Sequence, residues 1–339
     1  MTEHDLPDLE ARLDELAEPR FRARQILRAL YRRAATSYDE MTDLPKELRA
    51  RLALELPLLS TEIAEIQRSA DGTRKILVRL HDDRFVEAVM IPEGDRRTAC
   101  ISTQVGCPAG CVFCASGLAG LTRNLTAGEI VEQWIHLTRV VRDEGAEGLT
   151  NVVVMGMGEG LLNYDALVAG LRRLNHEATA GFGLRRVTVS TVGLPDRIDR
   201  LAAEGLPVHL ALSLHGPDDA TRSQIVPFNE RWPVAEVVAA VRRYAATTHR
   251  DATFEYILLD GINDSPEHAA RLAALAGRHV NVNLIPCNPV EGLPYRPPPR
   301  ERVDAFAARL AQEGVVVNVR RTRGDDIDAA CGQLRLKRS

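Results

Sequence analysis

Hydrophobic positions change their period twice along this chain. Through the first part they return at helical spacing: in Phe21-Arg-Ala-Arg-Gln-Ile-Leu-Arg-Ala-Leu-Tyr31, the apolar Phe21, Ile26, Leu27, Leu30 and Tyr31 face away from an arginine stripe. Asp43-Leu-Pro-Lys-Glu-Leu48 predicts another helix start, because proline is accepted in a first turn. A helical domain over residues 1–64 is expected. Next, 75–80 and 85–91 read as strands joined at His81-Asp-Asp, a β-hairpin within 65–96.

From 97 to 339, strand-like and helix-like stretches alternate. Strands are expected over 98–103, 151–157, 186–190, 208–213, 253–259 and 282–286. Helices are expected over 127–142, 165–174, 196–204, 234–247, 266–278 and 301–313. Six βα units place the chain in the α/β class, with a parallel sheet curled into a partial (β/α)6 barrel. A closed eight-unit barrel is the competing architecture, and residues 315–319 would add only an edge strand. In such folds the chemistry gathers in loops at the C-terminal ends of the strands.

The loop after the first of these strands carries Cys107-Pro-Ala-Gly-Cys111-Val-Phe-Cys114, with Gly106 and Gly110 allowing tight turns. A structural zinc site is closed by four ligands, and an ordinary cubane cluster by four cysteines. Three thiolates from one loop point to a four-iron cluster with one iron left open. Three unrelated cysteines, or zinc completed by a distant histidine, are the alternatives. After the second strand, Met155-Gly-Met-Gly-Glu-Gly160 fails as a dinucleotide fingerprint, since Leu161 stands where glycine is required. Gly158 would let backbone approach a ligand, and Glu159 could accept from an amino group. Ser190, Ser213-Leu214-His215 and Asn288 put small polar groups at later strand ends.

Composition sets bounds around this chemistry. The 339 residues, 45% hydrophobic and 27% charged, fit a globular protein of about two domains. No apolar run approaches the roughly 18 residues of a membrane helix, and the acidic N-terminus lacks a signal-peptide pattern. A cytoplasmic location is expected, where cysteines serve metals or catalysis more often than structural disulfides. Net charge is −4, yet Arg20, Arg22, Arg24, Arg28, Arg32 and Arg33 cluster near the start, and Arg320, Arg321 and Arg323 near the end. These patches are either grips for nucleic-acid phosphate, the helix at 20–33 above all, or solvated faces.

Near the end stands Gly324-Asp-Asp-Ile-Asp-Ala-Ala-Cys331-Gly-Gln333. Together with PRFRARQIL, DEMTDLPKELR, VEAVMIPEGDR, CISTQVGCPAGCVFCASG, NVVVMGMGEGLLNYD, LALSLHGPDD, TFEYILLDGINDS and VRRTRGDDIDAACGQL, it makes the chain resemble the RlmN/Cfr family of radical S-adenosylmethionine (SAM) RNA adenine methyltransferases almost end to end. The resemblance implies that Cys107, Cys111 and Cys114 hold a [4Fe-4S] cluster. It implies SAM contacts from Gly158, Glu159, Ser190, Ser213, Leu214, His215 and Asn288. Cys331 would carry a methyl group taken from one SAM, Cys100 would be its partner, and Glu87 the proton acceptor. A second SAM, cleaved reductively, would activate the carried methyl for transfer to adenine. Cys100 would then release the product and leave a disulfide for reduction.

By the same resemblance the product is 2-methyladenosine in 23S rRNA, with tRNA as second substrate and flavodoxin or ferredoxin as electron donor to a monomer. Carbon-8 methylation is the alternative within the family, and a non-catalytic iron–sulfur or zinc RNA-binding module the alternative outside it. Gly160, Val192, Gly216 and Cys287 depart from the usual pattern, where proline, serine, alanine and phenylalanine stand; Cys287 reads as a bystander.

Overall fold

The computed structural model describes residues 1–277 and 280–334. Three helices come first: α1 (Leu6–Glu15), α2 (Phe21–Arg32) and α3 (Lys46–Glu55). Asp5 caps α1 reciprocally with Asp8. The stripe of α2 behaves as its spacing predicts, with Ile26, Leu27, Leu30 and Tyr31 buried, although Phe21 at its head remains exposed.

The strands are β1 (Glu62–Arg68), β2 (Arg74–Arg79), β3 (Phe85–Glu93), β4 (Arg96–Cys100), β5 (Gln104–Gly106), β6 (Leu121–Asn124), β7 (Asn151–Val154), β8 (Val187–Thr191), β9 (His209–Ser213), β10 (Ala252–Leu258), β11 (Val280–Pro286) and β12 (Val317–Val319). The later helices are α4 (Ala115–Leu118), α5 (Ala127–Asp143), α6 (Tyr164–Asn175), α7 (Pro195–Ala203), α8 (Asp219–Ile225), α9 (Val234–Thr248), α10 (Pro266–Ala276) and α11 (Arg300–Gln312). Ten strands form one sheet, ordered β1-β2-β3-β4-β7-β8-β9-β10-β11-β12, while β5 and β6 pair apart from it. Pairing is antiparallel from β1 to β4 and parallel from β4 to β12. All seven residues of β10 are buried, as expected of a central strand covered on both faces.

The six expected βα strands are β4 and β7 to β11, in that order, and 315–319 supplies β12. Residue 278 of the helix expected over 266–278 lies outside the described residues. β1 and β12 are the two ends of the sheet and do not pair, so the eight-unit closed barrel is excluded. The expected hairpin of β2 and β3 is present, but β1 and β4 extend it into the main sheet. β1 escaped the sequence reading because none of its residues is fully buried, so it carries no alternating signal.

Curling brings the antiparallel end of the sheet against the segment that follows β12. The Gly324 N–H donates to Asp71 Oδ2 at 3.0 Å, the Ala70 N–H to Asp326 Oδ2 at 3.1 Å, and Lys75 Nζ to the Asp328 carbonyl at 3.1 Å. The C-terminal segment thereby spans the two ends of the open barrel.

Candidate active site at the barrel mouth

The cysteine loop runs from β5 to α4 and is shaped by glycine. Gly106 has φ +78°, and a Cβ there would stand 1.8 Å from the Gly120 carbonyl oxygen, which also accepts from the Cys107 N–H at 2.9 Å. Burial pushes the Cys107 thiol up to about 12 and Cys111 well above its ordinary value, and the neighbouring thiols add to both. Cys114 is raised by the same cause. Opposing this, the N–H groups of Ala109 and Gly158 address the sulfur of Cys107, and those of Ser116 and Gly117 that of Cys114.

Among the described residues, no group of three His, Cys, Asp or Glu side chains is arranged around a single ion. Mononuclear zinc would draw its sulfurs to within about 4 Å of each other, given Zn–S bonds of about 2.3 Å; thiolates on separate irons stand further apart. An all-sulfur donor set with peptide N–H groups turned on it fits an iron–sulfur cluster. Binding would have to expel the thiol protons, as metal charge does.

The next loop is laced to the first. Gln104 Oε1 accepts from the Glu159 N–H at 2.8 Å, and Gln104 lies 2.6 Å from where a Cβ on Gly158, at φ +103°, would stand. The carboxylate of Glu159 accepts from the Leu161 N–H at 3.0 Å and the Val192 N–H at 2.8 Å. Its pKa is raised to about 7 by burial. Both Glu159 oxygens thus already pin two strand-end loops together, whereas the sequence reading had offered them to an amino group. Val192 takes part through its backbone, which accounts for a side-chain departure there being tolerated.

Further round the mouth, Ser190 Oγ and Ser213 Oγ lie 3.2 Å apart at the ends of β8 and β9. Leu214 is buried, its N–H donating to the Glu255 carbonyl. His215, at φ +60°, accepts at Nδ1 from the Ile257 N–H and meets Phe113 edge-on at 5.1 Å. Burial lowers its pKa to about 3, so the ring is neutral. Thr103 Oγ1 and Glu255 Oε2 are buried without a hydrogen-bond partner. Buried polar atoms without a partner, one just past the end of β4 and one inside β10, fit a site that receives a polar ligand.

The C-terminal segment closes over this ring. Asn288 donates from Nδ2 to the Cys331 carbonyl at 3.1 Å and accepts at Oδ1 from Thr322 at 2.9 Å. Gly332 O accepts from the Ala115 N–H at 2.9 Å, and Leu334 O from Ser116 Oγ at 2.6 Å. Cys331 is exposed, and all six cysteines are free thiols. Cys100 is buried at the end of β4, with its pKa pushed up to about 12 by burial and then by the neighbouring Cys331. Cys331 also bears on Cys114. Cys100 and Cys331, separated by more than two hundred positions, thus lie within electrostatic reach of each other. Glu87, on β3, is in a buried ion pair with Lys75 at 3.0 Å.

Sequence reasoning missed Gln104, Lys75, Arg222 and the pair of Arg320 with Glu255 at 2.9 Å. Only Lys75 left a signal, as one of three lysines in a chain whose cations are otherwise arginines. The N-terminal arginines are mostly engaged by the protein itself: Arg20 with Asp14, Arg22 with Glu18, Arg24 with Glu177, Arg33 with Asp43, and Arg32 with the carbonyls of Glu177 and Thr179.

The family model of the radical SAM superfamily matches residues 101–273, and that of the ribosomal RNA large subunit methyltransferase N-terminal domain matches residues 1–56. A probable dual-specificity RNA methyltransferase RlmN from Rhodopirellula baltica is 49% identical, covering 98% of this chain and 90% of its own. The chain belongs to the RlmN family of radical SAM methyltransferases. The dual-specificity RNA methyltransferase RlmN of Halorhodospira halophila is 48% identical over 97% of this chain and 91% of its own. A crystal structure of a radical SAM methyltransferase from Sphaerobacter thermophilus superposes with a TM-score of 0.96 at 49% identity, covering 99% of this chain and 98% of that one. That the chain is a SAM-dependent methyltransferase follows from its membership of the RlmN family. Among the described residues no helix is long and apolar enough to cross a membrane.

Proposed function

We propose that this enzyme methylates adenine at carbon 2 in 23S rRNA and in tRNA, through a methyl group carried on Cys331. The observation that carries the reading is the convergence of Cys331, Cys100 and the Cys107–Cys114 loop beneath the C-terminal segment. In this reading Cys107, Cys111 and Cys114 hold a [4Fe-4S] cluster. Gly158, Glu159, Ser190, Ser213, Leu214, His215 and Asn288 surround SAM. When bound, these two groups supply the methyl and the radical chemistry that an unactivated ring carbon requires.

The chain's own residues divide the remaining work. Cys331, exposed on a segment held by Asn288, Ala115 and Ser116, takes the methyl group and presents it to RNA. Asn288 releases the Cys331 carbonyl when the segment lifts, freeing its amide for SAM. Glu87 accepts the ring proton; its partner Lys75 also grips the Asp328 carbonyl, which couples the base to the position of the segment. Cys100 attacks the Cys331 sulfur, and the resulting disulfide must be reduced before the next turnover. Residues 1–64 form an RNA-binding accessory domain, 65–96 the hairpin linker and 97–339 the radical SAM core. The enzyme works as a cytoplasmic monomer supplied with electrons by a flavodoxin or ferredoxin.

Mass spectrometry of nucleosides from separated rRNA and tRNA, after expression in a host lacking the carbon-2 and carbon-8 enzymes, tests this. 2-Methyladenosine in both pools is expected. 8-Methyladenosine alone would overturn the regiochemistry, and neither product the assignment itself.

A further inference from the structure

Arg222, on α8, is 1% exposed, and among the described residues no carboxylate approaches its guanidinium within ion-pair distance. Nε donates to the Leu214 carbonyl at 2.9 Å, Nη1 to Asn229 Oδ1 at 2.7 Å, and Nη2 to the carbonyls of Val192 and, at 3.5 Å, Ser213. Every one of these acceptors is neutral. They satisfy hydrogen bonds without supplying a counter-charge, and a buried unpaired charge is costly. Lysine would escape by losing its proton, but a guanidinium keeps its charge.

The packing shows where that charge is directed. The Val112 N–H, one residue after Cys111, donates to the carbonyl of Ile225 at the end of α8. Gly110 lies against Pro227, 3.9 Å from its would-be Cβ. On the other side, Gly216 approaches so closely that a Cβ there would stand 2.6 Å from the Arg222 backbone. This glycine departure brings the helix in tightly. The ionisable group that Arg222 feels most is Cys111, ahead of the exposed Asp219.

We infer that Arg222 is the fixed counter-charge of the iron–sulfur cluster, a positioning residue that favours its one-electron reduction. The inference rests on the ligand reading of Cys107, Cys111 and Cys114. Three thiolates make the site anionic, and the electron taken from a low-potential donor adds one more negative charge. A buried cation beside Cys111 stabilises the reduced form more than the oxidised one, since Coulomb energy scales with the charge it faces. Cluster potentials respond to such local charge. The carbonyl cage keeps the guanidinium there and prevents it from pairing with a carboxylate.

Anaerobic reconstitution of the full chain, followed by a dithionite titration read by electron paramagnetic resonance, tests this in Arg222→Met and Arg222→Lys. Arg222→Met should reduce at least tenfold less favourably, about 59 mV more negative for one electron, and Arg222→Lys should restore most of the difference. An unchanged midpoint in Arg222→Met that retains about four irons overturns the inference. Should Arg222→Met fail to hold the cluster, uptake restored by Arg222→Lys supports it and uptake lost in both overturns it. Thermal unfolding without iron is the second readout: Arg222→Met should lose less stability cluster-free than cluster-loaded. Equal loss, or no folded cluster-free variant, would make Arg222 part of the scaffold alone. Wild-type protein that binds no iron would instead sink the ligand reading, and this inference with it.

Discussion

Two buried polar clusters, one around α5 beneath the N-terminal segment and one at the barrel mouth, are finished differently. Beneath the N-terminal segment, Glu132 on α5 accepts from Thr2, from the Ser60 N–H at 3.0 Å and from Thr61 Oγ1 at 2.5 Å, while His136 shares Thr61 at 2.9 Å. At the barrel mouth, Thr103 and Glu255 keep orphaned oxygens, Arg222 has only neutral acceptors, and the cysteine thiols are held above their ordinary pKa by burial. A satisfied cluster fastens parts together; an unfinished one is shaped for something that arrives later. Substitutions in the first should therefore cost stability and spare chemistry, and those in the second should do the reverse.

The largest contrast is expected from Cys331→Ala. Exposed and outside the core, this change should leave folding and iron uptake as in wild type, yet nucleoside analysis should find no methylated adenosine. Retained turnover would show that Cys331 is a spare thiol. Its counterpart, Glu132→Ala, strands the hydroxyl and N–H donors of Thr2, Ser60 and Thr61, and should cost about 3 kcal/mol in denaturant unfolding. Reductive SAM cleavage per folded molecule should be unaltered. A loss of cleavage without a loss of stability would reverse the assignment of the two clusters.

Acidification sharpens the same division. Burial lowers the His136 pKa from 6.5 to about 4, so the unfolded chain binds the extra proton first and stability falls as pH drops below 6.5. Relative to His136→Gln, wild type should lose about 2 kcal/mol between pH 7 and pH 5. Glu132, raised by its own burial, acts in the opposite sense and is common to both proteins. Parallel pH curves would mean that His136 is not held neutral.

The smallest effect concerns the arginine face of α2. Arg22 and Arg24 are already paired with Glu18 and Glu177, whereas Arg28 is exposed and has no partner among the described residues. Replacing all three with alanine should lower the log–log salt dependence of RNA binding by about one unit, not three, with little change in stability because exposed pairs contribute about 0–1 kcal/mol. No change at all would assign this face wholly to domain packing.

These contrasts also mark how much the chain discloses before it folds. The parallel core was legible because β7 to β11 are short stretches rich in apolar residues, and each helix between them carries its own apolar period. The cysteine loop was legible because its three cysteines are local. Arg222, Gln104 and Lys75 were not, because their meaning lies in partners brought near by folding: Leu214 and Val192 carbonyls, the Glu159 N–H, and Glu87. The N-terminal arginines advertised a phosphate grip by density alone, and density does not reveal that Glu18, Asp14 and Glu177 stand ready beside them.

The central claim is that Cys100 and Cys331 act as a pair at the unfinished site. Cys100→Ala tests it most directly, since methyl transfer to RNA can proceed in this variant while its release from Cys331 cannot. The account predicts protein covalently joined to RNA, seen as a mobility shift in a denaturing gel that ribonuclease removes. Free methylated RNA produced at the wild-type rate, with no such adduct, would contradict it.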